Sequence, residues 1–157
     1  MRLPVILVDW CRALVIAGAL AASAMPAAAA DWITGAAMPT ARSEIVAVNL
    51  DGTIYVAGGI APGGAAAAFE AYDPRANTWR ELAPLPMGVH HMGMAAAAGK
   101  IYVSGGYRTL EFRADVRTLW EYDPGTDAWQ RKALMPQPRA AHKMVNVGGK
   151  LYVVGGV

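Results

Sequence analysis

Arg42, Val89 and Arg139 each stand three residues after a proline, at Pro39, Pro86 and Pro136. Two guanidiniums at matching places could form a cationic rim for carboxylates, because a guanidinium binds a carboxylate through two parallel N–H···O bonds. The same groups could instead satisfy loop carbonyls or brace a neighbouring unit. Glu44 is the acid beside Arg42, and one carboxylate is a thin basis for acid–base catalysis. The histidines are His90, His91 and His142. Adjacent residues of a regular strand point to opposite faces, so His90 and His91 are not expected to share a metal. His142 falls in register with Met92. No serine–histidine–acid spacing stands out, and no glycine loop suited to phosphate. The candidate ligand-binding residues are therefore Arg42, Glu44, His90, His91 and Arg139. No catalytic residue, metal or cofactor is implied.

Something must hold those positions in place, and the chain supplies it three times. The runs Ile54–Gly59 (IYVAGG), Ile101–Gly106 (IYVSGG) and Leu151–Gly156 (LYVVGG) lie 47 and then 50 residues apart. Each is a short β-branched and aromatic run that stops at a glycine pair, which reads as a buried strand. The glycines allow backbone shapes that a Cβ resists and let another segment come close. Regular recurrence at this period marks a repeat protein.

The register is tight. Trp32, Trp79 and Trp129 are each followed seven residues later by a proline, and each proline nineteen residues later by a glycine pair. Only the connection after the glycines varies in length, as a surface loop should. Each unit reads as four short antiparallel strands. The first follows the proline (Ile45–Leu50, Gly93–Ala97, Lys143–Val147) and turns at Asp51-Gly52, Ala98-Gly99 or Gly148-Gly149, which are two-residue hairpin signals. The glycine-ended run is second. The third ends in Tyr-Asp-Pro, at Tyr72 and Tyr122, where Asp-Pro opens a turn. The fourth starts near Trp79 or Trp129. The segment from Trp32 to Met38 is expected to be the fourth strand of a preceding unit. Meanders in series pack as propeller blades. The tryptophans, and Tyr55, Tyr102 and Tyr152, are expected to pack between blades. Met92 and Met94 should fill space near the narrow axis.

This combination resembles the kelch repeat. The matching positions are Gly58, Gly59, Tyr72 and Trp79, then Gly105, Gly106, Tyr122 and Trp129, and in a third copy Gly155 and Gly156. The resemblance implies an all-β fold, a kelch-type β-propeller, of which residues 31–157 supply about two and a half blades of four-stranded antiparallel meanders. Such an open or partial propeller reads as part of a longer one, or as copies assembling into a ring. The resemblance also implies a ligand on one face or in the axial funnel. In kelch adaptors of ubiquitin ligases, an arginine sixteen residues before the glycine pair lines a peptide pocket, and Arg42 and Arg139 have that spacing.

The first thirty residues read differently. Arg2 and Arg12 supply positive charge, Ala13–Ala22 is an apolar run, and Ala28-Ala29-Ala30 is a small-x-small site. This is a secretory signal peptide, residues 1–30, with Cys11, the single cysteine, upstream of the cut. Cleavage removes two arginines and one aspartate from 14 basic and 12 acidic residues, leaving a net charge of +1. That balance gives no reason to expect nucleic acid or, after cleavage, a membrane as partner. The function expected is a secreted or periplasmic binding or scaffolding module that takes protein, peptide or carbohydrate through inter-blade loops, with self-association through open blade edges. The alternative is part of an exported propeller enzyme acting on sugars, of the sialic acid mutarotase kind. Copper enzymes of the galactose-oxidase kind are set aside, because they need a cysteine that the mature chain lacks. N-terminal sequencing of the exported protein is expected to begin at Asp31, and recovery of intact Met1 from a membrane fraction would point to an anchor instead.

Overall fold

The computed structural model of the chain describes residues 32–113 and 116–157. The expected signal peptide, residues 1–30, and its expected cleavage site lie outside the described residues. Residues Thr34–Val157 form one compact unit.

All regular structure among the described residues is β. The first repeat runs β1 (Val46–Leu50), β2 (Thr53–Ala57), a short hairpin of β3 (Ile60–Ala61) and β4 (Gly64–Ala65), then β5 (Phe69–Asp73) and β6 (Thr78–Glu81). The second is β7 (Gly93–Ala97), β8 (Lys100–Ser104), β9 (Leu119–Asp123) and β10 (Ala128–Arg131). The third is β11 (Lys143–Val147) and β12 (Lys150–Val154). The sheets are ordered β1-β2-β5-β6, β7-β8-β9-β10 and β11-β12, and every pairing is antiparallel. Two full four-stranded blades and a hairpin thus confirm the meander and the open arc.

Local chemistry explains the turns. Both central residues of each β1–β2-type hairpin have positive φ: Asp51 and Gly52, Ala98 and Gly99, Gly148 and Gly149. That is the twist-matched two-residue turn. At the next turn Asp73 Oδ1 accepts N–H bonds from Arg75 and Ala76, and Asp123 Oδ1 accepts one from Gly125.

The blades meet at two places. Near the axis, the Gly59 N–H donates to the Val89 carbonyl and the Gly106 N–H to the Arg139 carbonyl, both at 2.9 Å. A Cβ on Gly58 or Gly105 would lie well under 3 Å from those same carbonyls. Gly58 and Gly105 are therefore required by the next blade's leading loop, not only by their own turns. At the rim, the Trp79 indole N–H donates to the Ala36 carbonyl at 2.8 Å, and Trp129 to the Ala83 carbonyl at 2.9 Å. The Ala36 N–H donates to Asn77 Oδ1, and the Ala83 N–H to Asp127 Oδ1. Those two side chains also accept from Tyr72 and Tyr122 hydroxyls. The Tyr122 hydroxyl and the Ala83 N–H hold the Asp127 carboxyl below its ordinary range. Burial, then Asp127, push the Tyr122 phenol up.

Between these points lies the core of the blade interface. Phe69 sits among Tyr55, Tyr122 and Trp129, with ring centroids at 5.9, 4.7 and 4.9 Å. Met92 and Met94 are buried, as expected near the axis.

Three expectations need correction. Residues 32–38 carry no strand, although Ala36 takes the place that Ala83 takes in the next blade. The strand that would pair with them is not among the described residues. Trp32 is fully exposed. Trp79 and Trp129 stack on a tyrosine seven residues upstream, and the residue seven before Trp32 is Met25. Tyr55 is buried, but Tyr152 is 48% exposed, because no third strand or following blade covers β12 among the described residues.

Removing Phe69 should leave a cavity in the aromatic cluster. Phe69→Ala and Trp129→Ala are each expected to cost about 3–5 kcal/mol by denaturant titration. A loss under about 1 kcal/mol would mean that the blade interface does not carry the stability of the arc.

Candidate functional site

The loop leading into each innermost strand has one backbone shape used three times. Ser43 bridges Ile60, His90 bridges Tyr107, and Ala140 pairs with Val157 through reciprocal N–H···O bonds. The next residue in each loop, Glu44, His91 or Ala141, has φ near +52, +55 or +53°. Non-glycine residues adopt that conformation at a cost of roughly 1–3 kcal/mol, so the surrounding bonds must enforce it. The three loops converge at one end of the inner strands. Glu44, His91, Ala141, His142 and Lys143 line a cleft there of about 200 Å³.

The kink changes the fate of the two histidines. In a regular strand they would diverge, but with His91 in the left-handed region their Nδ1 atoms lie 2.7 Å apart. The chain of contacts continues in both directions. His91 Nε2 is 3.1 Å from Glu44 Oε2, and His90 Nε2 is 3.1 Å from the Thr109 carbonyl. A carbonyl only accepts, so His90 carries its proton on Nε2 and accepts at Nδ1. His91 Nδ1 is then the donor. The contact of His91 Nε2 with the Glu44 carboxylate is an ion pair when His91 is protonated. Tyr107 and Phe112 pack on both imidazoles with centroids 5.3–5.6 Å apart. His90 is fully buried, whereas Phe112 is half exposed.

The arginines divide. The structure places Arg42 in the interior instead of on a rim. Its Nε donates to the Gly58 carbonyl at 2.7 Å, and Nη1 donates to the Thr40 carbonyl and to Glu70 Oε2 at 2.9 and 2.6 Å. Both side chains of the pair are buried, and Glu70 Oε1 also accepts the Thr40 N–H. Such a pair is satisfied on both sides. In the second repeat the same two places hold Val89 and Trp120, an apolar exchange of both partners. Arg139 keeps one of Arg42's bonds, with Nη1 donating to the Gly155 carbonyl at 2.6 Å.

Sequence spacing did not reveal one contact. Ser104 Oγ lies 2.9 Å from His142 Nε2 and 3.8 Å from Met144 Sδ, all buried. His142 Nδ1 is buried with no partner among the described residues. The ring fits only because Gly93 has no side chain, since a Cβ there would collide with it. Burial, then the charge of Arg139, hold the His142 imidazole below its ordinary range.

Comparison with known proteins places this geometry. The KLHDC2/KLHL20/DRC7 Kelch-repeats domain matches residues 27–156. The chain belongs to the kelch-repeat family. Mouse Kelch-like protein 35 is 39% identical over 75 residues, covering 48% of this chain and 13% of that protein. Rat Kelch-like protein 24 is 37% identical over 78 residues, covering 50% and 12%. The chain thus spans about an eighth of the length of these relatives. The solved structure of YjhT shares the fold with a TM-score of 0.70 at 24% identity, covering 79% of this chain and 47% of that one.

In this kelch arc, Gly58, Gly105, Trp79 and Trp129 hold blades together, and Tyr72 and Tyr122 hold the Asn77 and Asp127 caps. Chemistry is concentrated instead at the axial ends of the leading loops. His142 gives that end a pH dependence whose sign is fixed. Its folded-state affinity for a proton is lowered, so the unfolded chain takes up the proton first as pH falls through about 6.5. Stability is therefore lost from neutral pH downward, until the folded pKa is passed. Denaturant midpoints between pH 7 and 5 are expected to fall less for His142→Met, the residue that Met92 places at the matching position. An unchanged slope would show that His142 is not the titrating group.

Proposed function

We propose that the chain is an exported kelch-repeat binding module that takes a protein or peptide at the axial end of its leading loops. The supporting observation is the continuity between an apolar tip and a charged cleft. Phe112 and Leu110 are about half exposed on the loop after the second glycine pair. Phe112 rests on His91, and His91 reaches Glu44 in a cleft that also holds Lys143. An aromatic anchor beside a few fixed polar groups suits recognition of a polypeptide segment. Relatives with kelch-like names support a binding role, and the signal peptide supports a secreted or periplasmic place of work.

A second reading is an exported enzyme acting on sugars, of the sialic acid mutarotase kind. The contact of Glu44 Oε2 with His91 Nε2, 3.1 Å, beside a cleft of about 200 Å³ favours it. The likeness to YjhT supports only the fold.

Peptide display and glycan arrays probed with the mature chain separate the two. Peptide ligands are expected, and Phe112→Ala and Glu44→Gln should each weaken them by about tenfold with the fold intact by circular dichroism. Binding confined to glycans, or faster anomer exchange of sialic acid followed by NMR, would favour the second reading.

A further inference from the structure

The spacing of Arg42 and Arg139 suits a rim for carboxylates, and the structure takes both arginines out of that role. Arg42 is buried against Glu70 and donates to the Gly58 carbonyl. Arg139 donates to the Gly155 carbonyl and is not among the residues lining the axial cleft. The charges that do line it are Glu44 and Lys143, beside Ile45, His91 and Met92. They differ in how they are held. Glu44 sits on backbone fixed at φ 52°, next to the reciprocal bonds of Ser43 with Ile60. Its Oε2 lies 3.1 Å from His91 Nε2, and His91 is held in turn by His90. A carboxylate offers about four acceptor sites, so this one contact leaves most of them for a ligand, and the Glu44 side chain is half exposed. Lys143 is exposed and makes no ion pair among the described residues. A group already in place loses little freedom on binding, whereas a loose lysine must first be ordered. The fixed charge of the cleft is therefore negative.

We propose that the axial cleft selects a basic side chain of the bound segment, arginine above lysine, with Glu44 setting the sign. The claim rests on the reading of the chain as a binding module and names the chemistry of its ligand. The rings beside Glu44 supply the preference for arginine. Phe112 and Tyr107 pack on His91 with centroids 5.5 and 5.6 Å away, and lie 5.3 Å from each other. Phe112 is half exposed, so its ring forms a shelf on the way to Glu44. A guanidinium donates to a carboxylate in its own plane while its face stacks on an aromatic ring, and an ammonium has no such face. An acidic side chain in the same place would meet the Glu44 carboxylate, and that repulsion excludes it.

The probes are capped pentapeptides that differ only at the central residue: arginine, lysine, glutamate, or citrulline, the uncharged isostere of arginine. Each is titrated into the mature chain, with the backbone amide shifts of Glu44, His91 and Phe112 reporting the site. The arginine peptide is expected to bind, the lysine peptide about threefold more weakly, and the citrulline and glutamate peptides about tenfold more weakly. Glu44→Gln should bring the arginine peptide down to the citrulline level. Glu44→Ala should do the same, and the fold accepts it, since Ala141 already holds the same backbone shape. Lys143→Gln should tighten the arginine peptide by removing a like charge. Phe112→Ala should abolish the preference for arginine over lysine. Equal binding of the arginine and citrulline peptides would overturn the proposal and leave the binding-module reading standing. So would tighter binding of the glutamate peptide that Lys143→Gln removes, since the lysine would then set the sign. Binding by none of the four would overturn it as well, and peptide display then decides whether the binding-module reading falls with it.

Discussion

The arc depends on one close approach, repeated: the carbonyl of a leading loop lying against the glycine pair of the preceding blade. At Gly58 and Gly105 there is no room for a methyl group, because the Val89 and Arg139 carbonyls occupy that space. Gly59 and Gly106 then donate their N–H groups to the same carbonyls. Backbone therefore meets backbone at the axis, while farther out Phe69 meets the Tyr122 and Trp129 rings and the Trp129 indole N–H reaches the Ala83 carbonyl across the same pair of blades. A narrow contact inside and a wide aromatic contact outside give each blade its wedge shape. Substituting the glycine would move the inner contact outward, and Phe69, Tyr122 and Trp129 would then no longer meet.

That constraint explains why the repeats tolerate different chemistry at one site. The loop backbone is held by its own reciprocal bonds and by the glycine contact, so the side chain behind it needs only to fill its space and satisfy its polar atoms. Arg42 with Glu70 does both with charge, and Val89 with Trp120 fills the space without it. Each pairing is self-consistent, and a mixed one would bury a lone charge, which is far costlier than either. The Trp120 indole N–H, buried without a partner among the described residues, is the residual cost of the apolar version.

Much of this was legible in the sequence, and the misses share a cause. The strands, the hairpin turns and the glycine pairs follow from local pattern, and the structure reproduces β7 and β11 as read. The Asp-Pro turns follow because Asp73 and Asp123 bond within two or three residues. What the sequence could not show was which side chain of a distant segment completes a contact. Arg42 has the spacing of a ligand arginine, but Glu70, 28 residues on, turns it inward. His90 and His91 diverge only in a regular strand, and the left-handed turn at His91 is imposed by the bridge from His90 to Tyr107. Ser104 and His142 are 38 residues apart and meet because Gly93 leaves room. The strand expected at Trp32–Met38 needed a partner for its edge, and pattern alone does not provide one.

The same physics indicates where variation is free. Positions whose backbone is fixed from outside can change side chain without changing fold, provided the side chain faces solvent or a cleft. Glu44, His91 and Ala141 meet that condition: one left-handed backbone shape, three unrelated side chains, one shared cleft. Their strain is enforced by the paired bonds on either side, not by any preference of glutamate, histidine or alanine. A scaffold that fixes backbone in this way separates the residues that hold blades together from those that line the cleft. The Glu44–His91–His90 chain stands apart from the glycine and tryptophan contacts, and its end at the Thr109 carbonyl ties the cleft to the loop that carries Phe112.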